Sequence, residues 1–330
     1  MLSFKGELNT SKNKTITIDK FFDSTRDDIE KKIETTVADK EIIEILNGGK
    51  RLRSLLAALS FKACTRGKET KEKYQQSLEG TVGIELAHGA SLVHDDIIDK
   101  DLERRGKSAF YVKEGVGKAI LTGHKMLIRG LDIALKHGKE FTKLYLDSWN
   151  EVVNGEIDEV NFNKSGVKLK NMSTKSQIFE AYNKIINMKT ASLFSSACKG
   201  GALQANMSED ILKVFADYGR EIGLAYQLAD DLVDLAKGEF IDSVIIPILN
   251  KLEKQKIELS AAKKQEIKNK FDKNKEKIKQ MYIQEIKRHV GNAVQLSKSE
   301  LIPSSEYKDM LSDAPRYIIN KMLREININI

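Results

Sequence analysis

The chain has 330 residues, 41% hydrophobic and 31% charged, a balance that excludes intrinsic disorder and supplies ample core for one or two domains. Its net charge of +7 equals the excess of thirteen Lys or Arg over six Asp or Glu within residues 251–290, so the rest of the chain is balanced and no nucleic-acid partner is expected. No apolar run approaches the roughly 20 residues that span a bilayer, the N-terminus lacks a secretory pattern, and Cys64 and Cys198 cannot build a disulfide framework, so a cytoplasmic location is expected.

Only three prolines occur, all beyond position 246, which favours long uninterrupted helices. Ser24, with Asp27 three residues on, reads as a helix start, and Ile29, Ile33, Val37 and Ile42 continue a helical period to Asn47-Gly48-Gly49. A second helix is expected from about 50 to 65, ending at Arg66-Gly67. A third runs from about 70 to 100 and stops before the charged loop Glu103-Arg104-Arg105-Gly106-Lys107. Further helices are expected over about 115–136, 139–161, 173–200 and 208–235, with three or four more to the C-terminus. In the Lys-rich stretch 251–290, Ile267, Phe271, Ile278, Tyr282, Ile286 and Val290 recur at helical spacing, so the lysines coat the wet face of a helix. No segment alternates apolar and polar residues over strand length, and no Pro/Gly/Ser-rich linker divides the chain. The expected fold class is all-α, a single domain over 1–330.

The third helix ends in Asp95-Asp96-Ile97-Ile98-Asp99, and 135 residues later Asp230-Asp231-Leu232-Val233-Asp234 repeats the DDxxD pattern. Both clusters fall near helix C-termini, where the dipole disfavours acids, so an outside cation is needed to stabilise them. Residues four apart share a helix face, so Asp95 with Asp99, and Asp230 with Asp234, each form a two-carboxylate claw. Carboxylate oxygens without His or Cys suit a hard ion and point to Mg²⁺, which bridges readily to phosphate oxygens. The bland alternative is a pair of solvated acidic helix ends. Against it, Ile84, Ala87, His88 and Ser91 stack beneath Asp95, and Leu224, Gln227 and Ala225 or Tyr226 lie beneath the second cluster, giving each acid group an apolar approach. Gly48-Gly49-Lys50-Arg51-Leu52-Arg53 puts free N–H groups and three cations at a helix start, Arg104-Arg105 follows the first cluster, and Lys189-Thr190 lies in another helix. Paired acids beside these cations suggest a site for two anionic substrates.

GGKRLR (48–53), HDDIIDKDLERRGK (94–107), KTASLF (189–194) and GLAYQLADDLVD (223–234) occur in an order that resembles the trans-isoprenyl diphosphate synthases of the polyprenyl synthetase family, from about Ile42 to Pro247. The resemblance implies an isoprenoid-synthase bundle around a central cavity, a homodimer, and three Mg²⁺ ions linking the aspartate motifs to an allylic diphosphate. By motif position, Asp95, Asp99 and Asp230 would be direct ligands, with Asp96, Asp231 and Asp234 in support. Arg104 would hold the allylic diphosphate, and Lys50, Arg53, His88 and Arg105 isopentenyl diphosphate. Lys189, Thr190 and Gln227 would face the developing allylic cation. Ala87, Ala90 and Ser91 would set product length; because they are small, a product of C20 or longer is expected. Ser54 stands where the family usually has proline, Gly123-His124 replaces a usual Gly-Asp, and Gly155-Glu156 a commoner Gly-Gln. After Asp234 only Lys237-Gly238 remains of a longer basic loop, with Lys237 the candidate substitute.

Three other readings fit less of the sequence. A helical phosphohydrolase built on His94-Asp95 leaves the second DDxxD unexplained. A terpene cyclase would usually replace that second motif with an Asn/Ser/Glu set. A non-catalytic partner subunit matches the shortened basic loop but not two intact acid clusters.

Overall fold

The computed structural model describes residues 17–165, 183–238 and 264–330, with side chains from 162–165 and 264–268 left aside. Among the described residues the fold is helical apart from one two-stranded hairpin. The helices are α1 (Ile18–Thr36), α2 (Lys40–Leu46), α3 (Leu52–Thr65), α4 (Lys71–Asp99), α5 (Phe110–Glu114), α6 (Val116–Lys136), α7 (Lys139–Ser165), α8 (Ser192–Gln204), α9 (Glu209–Lys237), α10 (Lys264–Ser297) and α11 (Glu306–Leu323). The expected helix over 173–200 lies outside the described residues before 183.

Several boundaries differ from the sequence expectation for local reasons. The first helix begins at Ile18, and Ser24 sits inside it, its hydroxyl donating to the Phe21 carbonyl. The period through Val37 and Ile42 is carried by two helices: Val37 is extended, and Asp39 accepts from the Glu41 and Ile42 amides to cap a new start. Both residues stay buried, so the apolar spacing survives the break. The charged segment after Asp99 folds into a hairpin, β1 (Glu103–Arg104) against β2 (Lys107–Ser108), and positive φ at Arg105 and Gly106 turns the chain as a tight primed hairpin requires. A short helix, α5, precedes the expected start near 115 and ends at Gly115, whose φ is positive.

Packing builds outward from α4 and α9. The α4 helix lies against α6 and α3, α3 against α8, α8 against α9, and α9 against α10. Close approach at two crossings requires glycine, since a Cβ at Gly201 would meet the Ala57 carbonyl oxygen at 2.1 Å and one at Gly219 the Phe194 carbonyl oxygen at 2.3 Å. The Lys-rich helix behaves as its spacing suggests: Phe271, Ile278, Tyr282, Ile286 and Val290 are buried against the core, while Ile267 and residues 251–263 fall outside the described side chains. Pro315 lies inside α11, where it leaves the Leu311 carbonyl without its usual amide donor. The buried Tyr218 hydroxyl of α9 donates to that carbonyl at 2.7 Å and satisfies it.

Candidate active site

A cavity of about 360 Å³ lies between the start of α3, the second half of α4, the hairpin, the turn before α8, and α9. Lys50, Arg53, His88, Ser91, Asp95, Arg104, Arg105, Lys189, Thr190, Gln227 and Asp230 all line it, so residues from four separated motifs meet in one place.

The basic wall is built on the first turn of α3 and the facing turn of α4. Arg53 donates from Nη1 to His88 Nε2 at 3.0 Å, and its guanidinium stacks over Phe194 at 4.5 Å. Burial, followed by the fields of Arg53, Arg105, Arg51 and Arg104, holds the His88 pKa well below its ordinary value, so the ring is neutral near pH 7 and Nε2 accepts. In that tautomer His88 Nδ1 carries the proton. It and Arg53 Nε are buried donors without a protein partner. Lys50 stands 6.0 Å from the Tyr226 ring centroid, and its charge offsets the burial that raises the Asp230 carboxyl. Arg104 donates from Nε to Asp96 at 2.7 Å and from Nη2 to Asp101 at 3.0 Å. Arg105 Nη1 donates to the carbonyls of Ile45, Leu46 and Asn47, closing the C-terminus of α2 and tying the hairpin to the Gly48-Gly49 loop.

On the opposite wall the backbone forms a π-helical turn at Asn187–Ala191, a device common at functional sites, which presents Lys189 and Thr190. This turn presses against Gly155, where a Cβ would lie 2.8 Å from the Lys189 amide nitrogen. Lys189 Nζ sits 2.8 Å from Glu156, 2.5 Å from Glu159 and 4.0 Å from Asp95. Burial opposes its charge, but Asp95, Glu159 and Glu156 outweigh it and hold the ammonium above its usual range. Burial pushes the Asp95 carboxyl up to about 8; Lys189 pulls it down, while Glu156, Asp99 and Glu159 add to the rise. Thr190 Oγ1 donates to Gln227 Oε1 at 2.9 Å, and Gln227 Nε2 donates to Asp231 Oδ1 at 3.0 Å.

The acids suit a divalent cation. Burial, then Asp234 and Glu159, raise the Asp231 carboxyl well above the carboxylate range, and its Oδ2 has no partner. The donor set is hard carboxylate oxygen throughout. Among the described residues no three His, Cys, Asp or Glu side chains converge as a ready-made metal site. Diphosphate oxygens and water would therefore have to complete the coordination, which Mg²⁺ favours.

Some expected residues stand elsewhere. Asp96 is buried and engaged by Arg104 rather than lining the cavity, and Asp231 is buried behind Gln227. Asp99 and Asp234 lie one turn beyond the lining acids and do not line the cavity either. Lys237 pairs with Glu325 at 3.0 Å, outside the cavity, and its charge opposes part of the burial-driven rise of the Asp230 pKa. Ser91 lines the cavity and Ala87 the apolar pocket beneath it, whereas the fully buried Ala90 lines neither: it is 100° of helical rotation from Ser91. That lower pocket is closed by Phe141, Tyr145 and Trp149 of α7 with Ile84 and Leu193, so the floor comes from a neighbouring helix.

Sequence reasoning misses Glu85 and Glu159 as site residues, and leaves Tyr226 as one of two candidates beneath the second acid cluster. Glu159 carries a legible signal, since it follows Glu156 by one helical turn on the segment opened by Gly155. Tyr226 adjoins Gln227, but nothing local shows that it turns toward Lys50.

The sequence matches the family described as polyprenyl synthetase over residues 36–290. It is 30% identical to a geranylgeranyl diphosphate synthase of Methanosarcina mazei over 58% of this chain and 56% of the relative. It is likewise 30% identical to an octaprenyl diphosphate synthase of Escherichia coli over 59% of this chain and 56% of the relative. The matched region thus spans little more than half the length of these curated relatives. Among solved structures, a geranylgeranyl pyrophosphate synthetase from Geoglobus acetivorans superposes with a TM-score of 0.72 at 21% identity, covering 91% of this chain and 99% of that one. A decaprenyl diphosphate synthase from Rhodobacter capsulatus gives 0.75 at 19% identity, covering 93% and 99%. At that identity the two likenesses establish the fold.

Proposed function

Because the chain belongs to the polyprenyl synthetase family, we propose that it joins isopentenyl diphosphate head to tail, in trans, to an allylic diphosphate. The observation that carries the reading is one cavity with unpartnered buried donors on its basic wall, Arg53 Nε and His88 Nδ1, and Asp95 and Asp230 on its rim. Lys50, Arg53, His88 and Arg105 bind the isopentenyl diphosphate, Arg105 also tying the hairpin to the loop before Lys50 through Nη1. Arg104, aimed by Asp96, holds the allylic diphosphate. Mg²⁺ held by Asp95, Asp99 and Asp230, with Asp231 and Asp234 behind them, would neutralise the departing diphosphate. Lys189 and the side-chain oxygens of Thr190 and Gln227 face the allylic carbons, and surrounding apolar side chains exclude water that would quench a carbocation.

Arg53→Ala should raise KM for isopentenyl diphosphate about tenfold or more, the loss of a charge-assisted contact, with a smaller effect on the allylic primer. Steady-state kinetics with each substrate varied in turn checks this; a loss confined to the primer would reverse the two sites.

The tail of the growing chain runs from Asp95 past Ser91 and Ala87, and the small residues there favour a product of C20 or longer. Ser91→Phe should shorten the product by filling that path, and Trp149→Ala should lengthen it by opening the floor. Chromatography of dephosphorylated products tests the reading: a C15 endpoint for the wild type, or unchanged lengths in both variants, would show that the tail takes another route.

The homodimer implied by the resemblance also belongs to this proposal. Leu121, Ile128 and Leu135 repeat every seven residues along α6 and are 60–68% exposed, beside exposed Leu146, Val153 and Ile157 of α7. Such a contiguous apolar stripe suits a second copy of the chain. No described helix is long and apolar enough to cross a membrane.

A further inference from the structure

Among the three cations of Lys50-Arg51-Leu52-Arg53, Lys50 stands near Tyr226 and Arg53 contacts His88, while the middle one, although part of the cavity lining, is buried in contacts with carboxylates. The Arg51 side chain is 1% exposed. Its Nε donates to Glu30 Oε1 at 2.8 Å and its Nη2 to Glu30 Oε2 at 3.0 Å, a two-pronged grip, while Nη1 donates to Glu85 Oε2 at 3.0 Å. The second oxygen of Glu85 accepts from the Ser54 hydroxyl at 2.6 Å. Ser54 has one proton to donate, so the longer approach to the Thr81 carbonyl, 3.3 Å, is secondary.

The backbone at Arg51 takes φ 56° and ψ 20°, a left-handed conformation uncommon for a non-glycine residue. Gly49 makes room for the folded-back side chain, because a Cβ there would lie 2.6 Å from Arg51 Nη1. Glu85 stands three residues before His88 on α4, the residue that receives Arg53 Nη1. One buried carboxylate thus fixes the left-handed residue between the two cavity cations and sits one turn from the partner of Arg53.

We propose that Glu85, with Ser54 and Glu30, is a positioning group for the isopentenyl diphosphate clamp: it retains Arg51 in its left-handed, inward-folded state and so orients Lys50 and Arg53 toward the cavity. The inference rests on the proposed function and deepens it. It also gives Ser54, which occupies a usual proline position, a specific task.

If Glu85 becomes Gln, Arg51 keeps one carboxylate and loses the buried counter-charge supplied by α4, and the turn is no longer held from both sides. Glu85→Gln should raise KM for isopentenyl diphosphate about tenfold and Ser54→Ala severalfold, while KM for the allylic primer changes by less than about twofold in either. Kinetics with each substrate varied separately, alongside thermal melts, reads this. Equal rises in both KM values, or a lowered Tm with unchanged KM values, would overturn the positioning role. Should Glu85→Gln not fold, Ser54→Ala carries the test alone. A wild-type protein that consumes neither substrate would overturn the proposed function and this role together; normal wild-type turnover with no KM split would overturn only the latter.

Discussion

Asp95→Ala and Asp230→Ala should each lower turnover by roughly a hundredfold or more, the scale on which loss of one preorganised electrostatic group slows a reaction. The two acids line the same cavity from different helices, α4 and α9, and each is half-buried among groups that modulate its charge. Around Asp95, Lys189 is the only opposing cation in ion-pair contact among the described residues, and it is shared with Glu156 and Glu159. Removing Asp95 therefore leaves Lys189 with its other carboxylates, so the protein should fold normally and the loss should fall on chemistry. Asp230→Ala removes a carboxylate that feels the charge of Lys50 and should act likewise. Rates measured at saturating Mg²⁺ and substrates, with thermal melts as the control, check both. Near-normal turnover in either variant would defeat the assignment of the acids to a metal-diphosphate group.

Gly201→Val should cost about 3 kcal/mol or more of stability, at the upper end of overpacking penalties. The clash is with backbone: the new Cβ would stand 2.1 Å from the Ala57 carbonyl oxygen and 3.0 Å from Ser60 Cβ, so no side-chain rotation relieves it and α8 must move off α3. Because α3 and α8 carry Arg53 and Phe194, stacked at 4.5 Å, the displacement should also loosen the clamp. Gly291→Ala supplies the opposite sign. That helical glycine has open space around its Cβ position, so alanine should stabilise by about 0.5–1 kcal/mol. Denaturant or thermal unfolding separates the two; a Gly201→Val protein as stable as wild type would show that this crossing is not as tight as described.

Much of the site was legible because its chemistry is written in short motifs whose spacing survives folding. Asp95 and Asp230, the first acids of the two DDxxD clusters, Lys50 with Arg53, and Lys189-Thr190 all line one cavity, while the other four acids of the clusters do not. Helical phase also held: Phe271, Ile278, Tyr282, Ile286 and Val290 are buried despite the lysines between them. What was not legible depends on single backbone angles or distant partners. Nothing in GGKRLR says that Arg51 turns inward while its neighbours do not, because that follows from a left-handed φ and from Glu30 and Glu85 elsewhere in the chain. Arg105 reads as a free cation, yet one nitrogen is committed to the carbonyls that end α2. The π-turn at 187–191 shifts the rotational phase of Lys189, which a regular helical period cannot reveal. Ala90 is the opposite case: periodicity alone places it 100° from Ser91 around the helix, off the face that lines the cavity.

The most direct test of the account is incorporation of labelled isopentenyl diphosphate into extractable prenyl product by the purified protein, with an allylic primer, in Mg²⁺ and again after chelation. The account predicts steady incorporation that depends on primer, stops on chelation and returns when Mg²⁺ is restored. Incorporation unaffected by chelation, or none in the presence of Mg²⁺ and primer, would contradict it.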